Sequence, residues 1–432
     1  MKRLLLYILA LVLPAAAWAE ENFPPPQFSG SYQFPPMQTP FPRAAIFGWI
    51  DLAVLVLALV AAAYFALRLR SRRHLWLLAL FSLGYFGFYR HGCICPVGAT
   101  QNVALALSNH GYVLPVLVGL FFLLPLMAAL VVGRAFCAGV CPLGAAQEVV
   151  LLRPLRVPTW LEHPLGLIPF FYLGTAALLA WTGSTFLICR YDPFVAFFRL
   201  GGSGGMIAFG VGILALATVV GRPYCRFLCP YGALLRLVSP LSKWRVKITP
   251  TDCVKCHLCA DACPYGAIKP PTPVERGRSR LEGKARLAAL LVALPLLLAL
   301  GAWLGYRASG VLARVDPTVG LAERVALEQQ GYAQGTTLAS DAFYKTGQSN
   351  ETLYAAAAAL RGRFAPGAAV LGAWVALVLG LKLIGLSVRR HRTDYEADVG
   401  ACLLCGRCYQ ACPVQHAEGS GEQQVAGGMA ET

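Results

Sequence analysis

The sequence predicts an all-α polytopic membrane protein with about seven transmembrane helices. Three observations carry this expectation. Of 432 residues, 57% are hydrophobic and only 13% charged. The mean hydropathy is +0.58. Seven apolar runs reach or approach the ~20 residues needed to cross a hydrocarbon core ~30 Å thick. The net charge of +16 falls in a few loops rather than along one face, which fits topological charge bias and argues against nucleic acid as a partner.

Residues 1–19 run from a basic start through an apolar stretch to Ala17-Trp18-Ala19, the pattern of a signal peptide cleaved before Glu20. Residues 20–46 read as an extracytoplasmic Pro-rich lead-in. Apolar runs at about 47–67, 75–90, 112–132, 165–182 and 203–220 then make a five-span membrane domain over 47–246, and two more spans follow at 287–305 and 367–387. The first span delivers Arg68, Arg70, Arg72 and Arg73 to the cytoplasm. Alternation places 133–164, 221–286 and 388–432 there as well, and these loops hold most of the Lys and Arg. The short run 75–90 has to span, because otherwise the basic segment 221–286 lands outside. A loop of mixed charge, 306–366, is expected outside, with a helix over "SNETLYAAAAALRGR" (349–363). Asp51 and Lys382 fall near span ends, where snorkelling accounts for them. This topology implies a bacterial inner (cytoplasmic) membrane protein whose partners include membrane lipid.

All fifteen cysteines fall into groups. "CVKCHLCADACP" (Cys253, Cys256, Cys259, Cys263) and "CLLCGRCYQACP" (Cys402, Cys405, Cys408, Cys412) carry the CxxCxxCxxxCP run that wraps cubane iron–sulfur clusters. Zinc favours two separated pairs instead. Cys253-x-x-Cys256-His257 also spells a c-type haem attachment signal, but that chemistry belongs outside the cytoplasm and leaves Cys259 and Cys263 unused. In such runs the fourth cysteine ligates the other cluster. Cys253, Cys256 and Cys259 would therefore take Cys412, and Cys402, Cys405 and Cys408 would take Cys263. Residues 247–286 and 388–432 then form the two halves of a split cytoplasmic two-cluster ferredoxin-like module holding two [4Fe–4S] clusters. Both halves must lie on one face, and the span count puts them there.

A second group is a repeat. "GRAFCAGVCPLGA" (133–145) and "GRPYCRFLCPYGA" (221–233) each follow an apolar span directly. Cysteines four apart share a helix face, so Cys137, Cys141, Cys225 and Cys229 could meet as an inner-boundary thiolate site; the alternative is that they are reduced, small apolar residues at helix ends. "HGCICPVGA" (91–99) is a third, altered copy, with His91 where Cys137 would be and Cys93 added before Cys95. One span separates it from 137–145, so Cys93 and Cys95 are expected at the outer boundary together with Cys189. With His91 they could hold an iron or iron–sulfur centre. Cys189 could instead form a disulfide with Cys93 or Cys95, or the thiols could bind a partner's cofactor. His74, His110, His163, His391 and His416 lie at span ends or in loops and offer no bis-histidine haem site.

Repeated CxxxCP motifs after spans, followed by two ferredoxin-like runs, resemble the NosR/NapH-type membrane polyferredoxins. The resemblance covers roughly 47–268 and 367–415. It implies electron delivery across or from the membrane to extracytoplasmic reductive systems, and it carries over directly to the ferredoxin cysteines and to Cys137, Cys141, Cys225 and Cys229. NosR-like members have an extracytoplasmic FMN-binding domain before the spans. Here the Pro-rich lead-in stands in that place, and no covalent-flavin signature of the Ser/Thr-Gly-Ala-Thr kind is found; "QGTTLASD" (334–341) is too loose. The HxCxCP form at 91–96 also departs from the family's plain CxxxCP. The expected function is an oxidoreductase electron-transfer component that passes electrons from a soluble cytoplasmic donor or quinol toward an extracytoplasmic redox partner. The alternatives are a redox-linked maturation or regulatory protein for an exported metalloenzyme, and a quinol dehydrogenase subunit with all its chemistry on one face. No residue reads as a general acid or base.

Overall fold

The computed structural model describes residues 44–92, 95–109, 111–249, 253–272, 280–388 and 391–414. The expected signal peptide, most of the lead-in, and Cys93 lie outside the described residues. Helices dominate, and each of the seven apolar runs is helical. Four helices are long and apolar enough to cross a membrane: Ala45–Leu67, Thr159–Thr182, Gly283–Ala313 and Asn350–Ser387. Val116–Val132 and Gly204–Ala217 are apolar but shorter, 17 and 14 residues, which at 1.5 Å per residue is about 21–26 Å. The run 75–90 falls on Arg72–Ser82, continued by a π-helical stretch Leu83–Tyr89. There the glycines admit a neighbouring ring, since a Cβ on Gly87 would meet Phe198 at 2.8 Å.

The last two spans extend well past their sequence-predicted bounds. Arg280–Ala313 and Asn350–Ser387 are helices of 34 and 38 residues, so much of the loop expected over 306–366 is helical continuation. The helix anticipated over 349–363 is the start of the second. These two helices pack backbone to backbone: a Cβ on Gly305 would strike the Ala368 carbonyl, and one on Gly372 the Gly301 carbonyl. Small residues permit that approach in lipid, where apolar side chains gain little by leaving the acyl chains. Two further helices, Pro317–Gln329 and Leu338–Lys345, close this end over a core of Val319, Val325, Phe343 and Phe364.

The turn at each CP motif is the same in all three copies. Cys95, Cys141 and Cys229 are extended N-caps, and Pro96, Pro142 and Pro230 open the helices that follow, Pro96–Ser108, Pro142–Val149 and Pro230–Val238. Proline pushes the residue before it out of helical conformation and is itself suited to the first helical position. The expectation that Cys137 and Cys141, or Cys225 and Cys229, share one face of one helix is therefore corrected: the helix breaks at the second thiol of each pair.

The two segments that carry the CxxCxxCxxxCP runs join through an antiparallel pair, strand β1 (Ile268–Lys269) with strand β2 (Glu396–Ala397). The helices Leu258–Asp261 and Arg407–Gln410 pack on one another as well. One core then runs from the CP repeats into these segments, with Cys141, Cys229, Tyr265, Leu403 and Leu404 among its buried members.

Candidate iron–sulfur and thiol sites

The two cysteine runs adopt the same local backbone. Lys255 and His257 in the first, Leu404 and Gly406 in the second, have positive φ at matching positions beside Cys256 and Cys405. That conformation costs about 1 kcal/mol or more for a non-glycine residue, and here it curls each run around its own thiols. One small cavity is lined by Cys253, Cys256, Cys259 and Cys412, and another by Cys402, Cys405, Cys408 and Cys263. Each set thus draws three thiols from one run and the fourth from the other. The thiols line these cavities without closing on them, and among the described residues no three His, Cys, Asp or Glu side chains converge to metal-binding distance. The donor set of four sulfurs per cavity suits a cubane cluster. His257 suits a haem less well, because its ring is hydrogen-bonded to the Tyr395 hydroxyl. Burial pushes the Cys402 thiol up to about 12 and Cys405 up to about 11; such sulfurs ionise against a compensating positive charge, which a bound metal supplies.

The CP repeats embrace one another. Arg222, from the second copy and 1% exposed, donates to the Cys137 carbonyl and to the Ala138 carbonyl in the first. Its guanidinium lies 3.2 Å from where a Cβ on Gly144 would stand. Arg134, from the first copy, lies 3.3 Å from the corresponding point on Gly232 in the second. Gln147 completes the exchange, accepting from the Tyr224 backbone N–H at 3.0 Å and donating to Cys225 Sγ at 3.3 Å. Hydrogen bonds and cations beside sulfur favour the anionic thiolate and shift the potential of any centre it holds.

Glu148 joins the repeats to the segments that carry the CxxCxxCxxxCP runs. Its carboxylate pairs with Arg222 Nε at 3.1 Å and with Arg407 at 2.6 Å, and it accepts from the Tyr265 hydroxyl at 2.7 Å. Arg407 lies between Cys405 and Cys408, and Tyr265 follows Cys263-Pro264. Burial alone would raise the Glu148 pKa, but the Arg222 and Arg407 guanidiniums hold it down at about 2. Its contribution to stability is therefore complete above the ordinary carboxylate range and fades as pH falls from about 4.5 towards 2. Sequence reasoning missed Glu148, Arg222, Arg134 and Gln147. The Gly-Arg shared by both repeats was the signal that could have found the arginines.

The altered copy meets different partners. Cys95 and Cys189 line one cavity with Asp51, Arg90, Asp192 and Arg199, and a Cβ on Gly98 would stand 3.4 Å from Cys189 Sγ. Both thiols feel the Asp192 carboxylate. Gln101 accepts from the backbone N–H of Ile188 at 2.9 Å and of Cys189 at 3.3 Å, fixing that loop. Cys95 and Cys189 are both free. His91 is not among the residues lining the cavity, and its Nδ1 lies 3.2 Å from the Phe198 carbonyl. Asp51 does not snorkel: it is fully buried, 2.7 Å from Arg90, and accepts from the Tyr85 hydroxyl at 2.8 Å.

The sequence expects the two thiol groups at opposite boundaries, yet Cys95 stands within electrostatic reach of both Cys141 and Cys229. The series continues the other way. Arg222 is within reach of Cys225 and Cys405, and Cys408 is within reach of Cys259.

Comparison with known proteins follows the same segments. A family model described as a 4Fe-4S binding domain matches twice, at 114–159 and 203–249, each match containing one CP repeat. A second model of that description matches 246–269. The putative electron transport protein YccM of Escherichia coli is 30% identical over 156 residues, 32% of this chain and 43% of YccM. The regulatory protein NosR of Pseudomonas aeruginosa is 29% identical over 228 residues, 48% of this chain and 31% of NosR. Protein NirI of Paracoccus denitrificans is 31% identical over 148 residues, 31% of this chain and 22% of NirI. Over these segments the chain is similar to 4Fe–4S membrane proteins of the NosR/NirI type. It spans less than half the length of these three relatives. No solved structure matches it.

Proposed function

We propose that this protein is a membrane electron-transfer component of about seven spans that conducts electrons from a cytoplasmic donor or quinol to an extracytoplasmic acceptor. One observation carries the reading: thiols of the ferredoxin-like halves, the CP repeats and the Cys95/Cys189 cavity follow one another as electrostatic neighbours, with the Arg222 guanidinium bridging Cys405 and Cys225. Cys253, Cys256, Cys259 and Cys412 would hold one [4Fe–4S] cluster, and Cys402, Cys405, Cys408 and Cys263 a second. When bound, such clusters supply one-electron redox chemistry.

The chain's own residues do the rest. Glu148 and Arg407 hold the ferredoxin-like halves against the repeats, Arg222 and Gln147 supply donors and positive charge beside Cys225, and the buried core excludes water between them. Cys137, Cys141, Cys225 and Cys229 would form the inner stage, and Cys93, Cys95 and Cys189 the outer one. The basic loops favour a cytoplasmic side for the ferredoxin-like halves. A second reading, a redox-linked regulatory or maturation protein, draws on the name of NosR, a regulatory protein.

The test is transfer across proteoliposomes, with dithionite inside as reductant and ferricyanide outside as oxidant. Wild type should reduce external ferricyanide, and a Cys93/Cys95/Cys189 triple Ser variant should do so at least tenfold more slowly, the loss expected when one stage of a relay is removed. Equal rates would end the transmembrane reading and favour the regulatory one. An anaerobic iron count and EPR spectrum on the same preparations should give about eight irons for the two clusters, and any further signal lost in the variant would belong to the outer stage.

A further inference from the structure

A cavity of about 410 Å³ lies where the helices Thr159–Thr182 and Asn350–Ser387 meet the ferredoxin-like halves. Six fixed cations line it: Arg134, Arg226, Arg236, Lys269, Lys382 and Arg392. They face two acids, both already engaged. Glu162 pairs with Arg226 at 3.0 Å, and Asp398 accepts from the Gly400 N–H at 3.0 Å. Among the described residues, Arg236, Lys269 and Lys382 have no carboxylate within ion-pair distance. Arg134 is 4% exposed and its Nε is buried without a hydrogen bond. A buried cation without a full set of acceptors is costly unless an anion completes it.

The opposite wall is apolar. Pro169 and Phe170 come from one membrane-length helix and Leu381 and Leu386 from the other. A free aqueous anion gains nothing from such a wall, and a zwitterionic head group brings an ammonium of its own among three unpaired cations. Basic pockets between membrane helices at the cytoplasmic side are suited to anionic head groups, each cation near the surface contributing about 1 kcal/mol. We infer that this cavity binds the phosphate of an anionic phospholipid, its acyl chains lying along Phe170 and Leu381, so that the lipid seals the joint between the membrane helices and the ferredoxin-like halves.

The experiment uses the full chain, delipidated in detergent, given equal amounts of phosphatidylglycerol and phosphatidylcholine, and read by native mass spectrometry. Wild type should retain phosphatidylglycerol in preference to phosphatidylcholine. A Lys269→Gln/Lys382→Gln double variant should lose that preference by roughly tenfold or more, as removal of two head-group cations requires. Arg236→Gln is the second variant should the double one misfold, and unchanged iron content serves as the folding control. Inorganic phosphate added alone separates the sources: if it binds wild type but not the variant while neither lipid is preferred, the site takes a soluble phosphate and the lipid is overturned. Equal phosphatidylglycerol retention by all three proteins overturns the site altogether, as does its displacement from wild type by decylubiquinone, a neutral quinone.

Discussion

The same glycine occurs in all three CP turns, and its neighbour differs. In the two plain copies, Gly144 faces Arg222 and Gly232 faces Arg134; in the altered copy, Gly98 faces the sulfur of Cys189. The turn itself is common, an extended cysteine followed by a helix that opens with proline. What changes is the group packed against it. Thiols of the plain copies lie among arginines and a glutamine side chain, whereas Cys95 and Cys189 look toward the Asp192 carboxylate. One local motif therefore serves two electrostatic environments: beside Cys225, Arg222 and Gln147 offset the cost of burying negative charge on sulfur, whereas beside Cys95 and Cys189 the Asp192 carboxylate adds to it.

The largest expected effect tests whether the plain copies depend on their charge hub. Glu148→Ala leaves the buried guanidinium of Arg222 and the half-buried one of Arg407 without their acid and should cost about 3–5 kcal/mol, read as a lower unfolding temperature by circular dichroism. An unchanged midpoint would break the comparison. Glu148→Gln should cost less, and its deficit should shrink as pH falls from about 4.5 towards 2.

Next comes the arginine pair. Arg222→Lys loses the bonds to Glu148 and to the Cys137 and Ala138 carbonyls, about 1–3 kcal/mol in sum, since an ammonium does not reproduce a guanidinium fork. Arg134→Lys should cost less in the same melt, its best bond being the one to the Gly400 carbonyl at 3.2 Å. The reverse order would mean that the two copies are not braced as described. Smaller still, Gly144→Ala and Gly232→Ala press on those arginines and on the carbonyls of Cys137 and Cys225, an overpacking of about 1–2 kcal/mol. Gly98→Ala makes ordinary contact with Cys189 and should stay within about 0.5 kcal/mol. A Gly98 penalty equal to that of Gly144 would remove the distinction between the environments.

Local spacing made much of this legible. The CxxCxxCxxxCP runs, the doubled CP motif and the apolar helices could each be read within a few dozen residues, because ligand spacing and helix hydropathy are properties of short segments. The exchange of a fourth cysteine between the runs came from motif logic, and in the fold Cys412 and Cys263 each line the other run's cavity. The helix-face expectation for Cys137 and Cys141 failed because it weighed the four-residue spacing and passed over Pro142. Asp51 was misjudged because snorkelling assumes a lipid-facing side chain, whereas Tyr85 and Arg90 meet it inside.

By itself, then, the sequence determined that this chain lives in a membrane, that it is helical, and which cysteines belong to which run. Only the tertiary structure decided that Arg222 and Arg134 cross between copies, that Glu148 ties those copies to Tyr265 and Arg407, and that Cys95 lies within electrostatic reach of Cys141 and Cys229. The reason is physical. A buried charge finds its counter-ion wherever the packed helices bring one, and those partners lie 74 to 259 residues apart in the chain, beyond the reach of any local pattern.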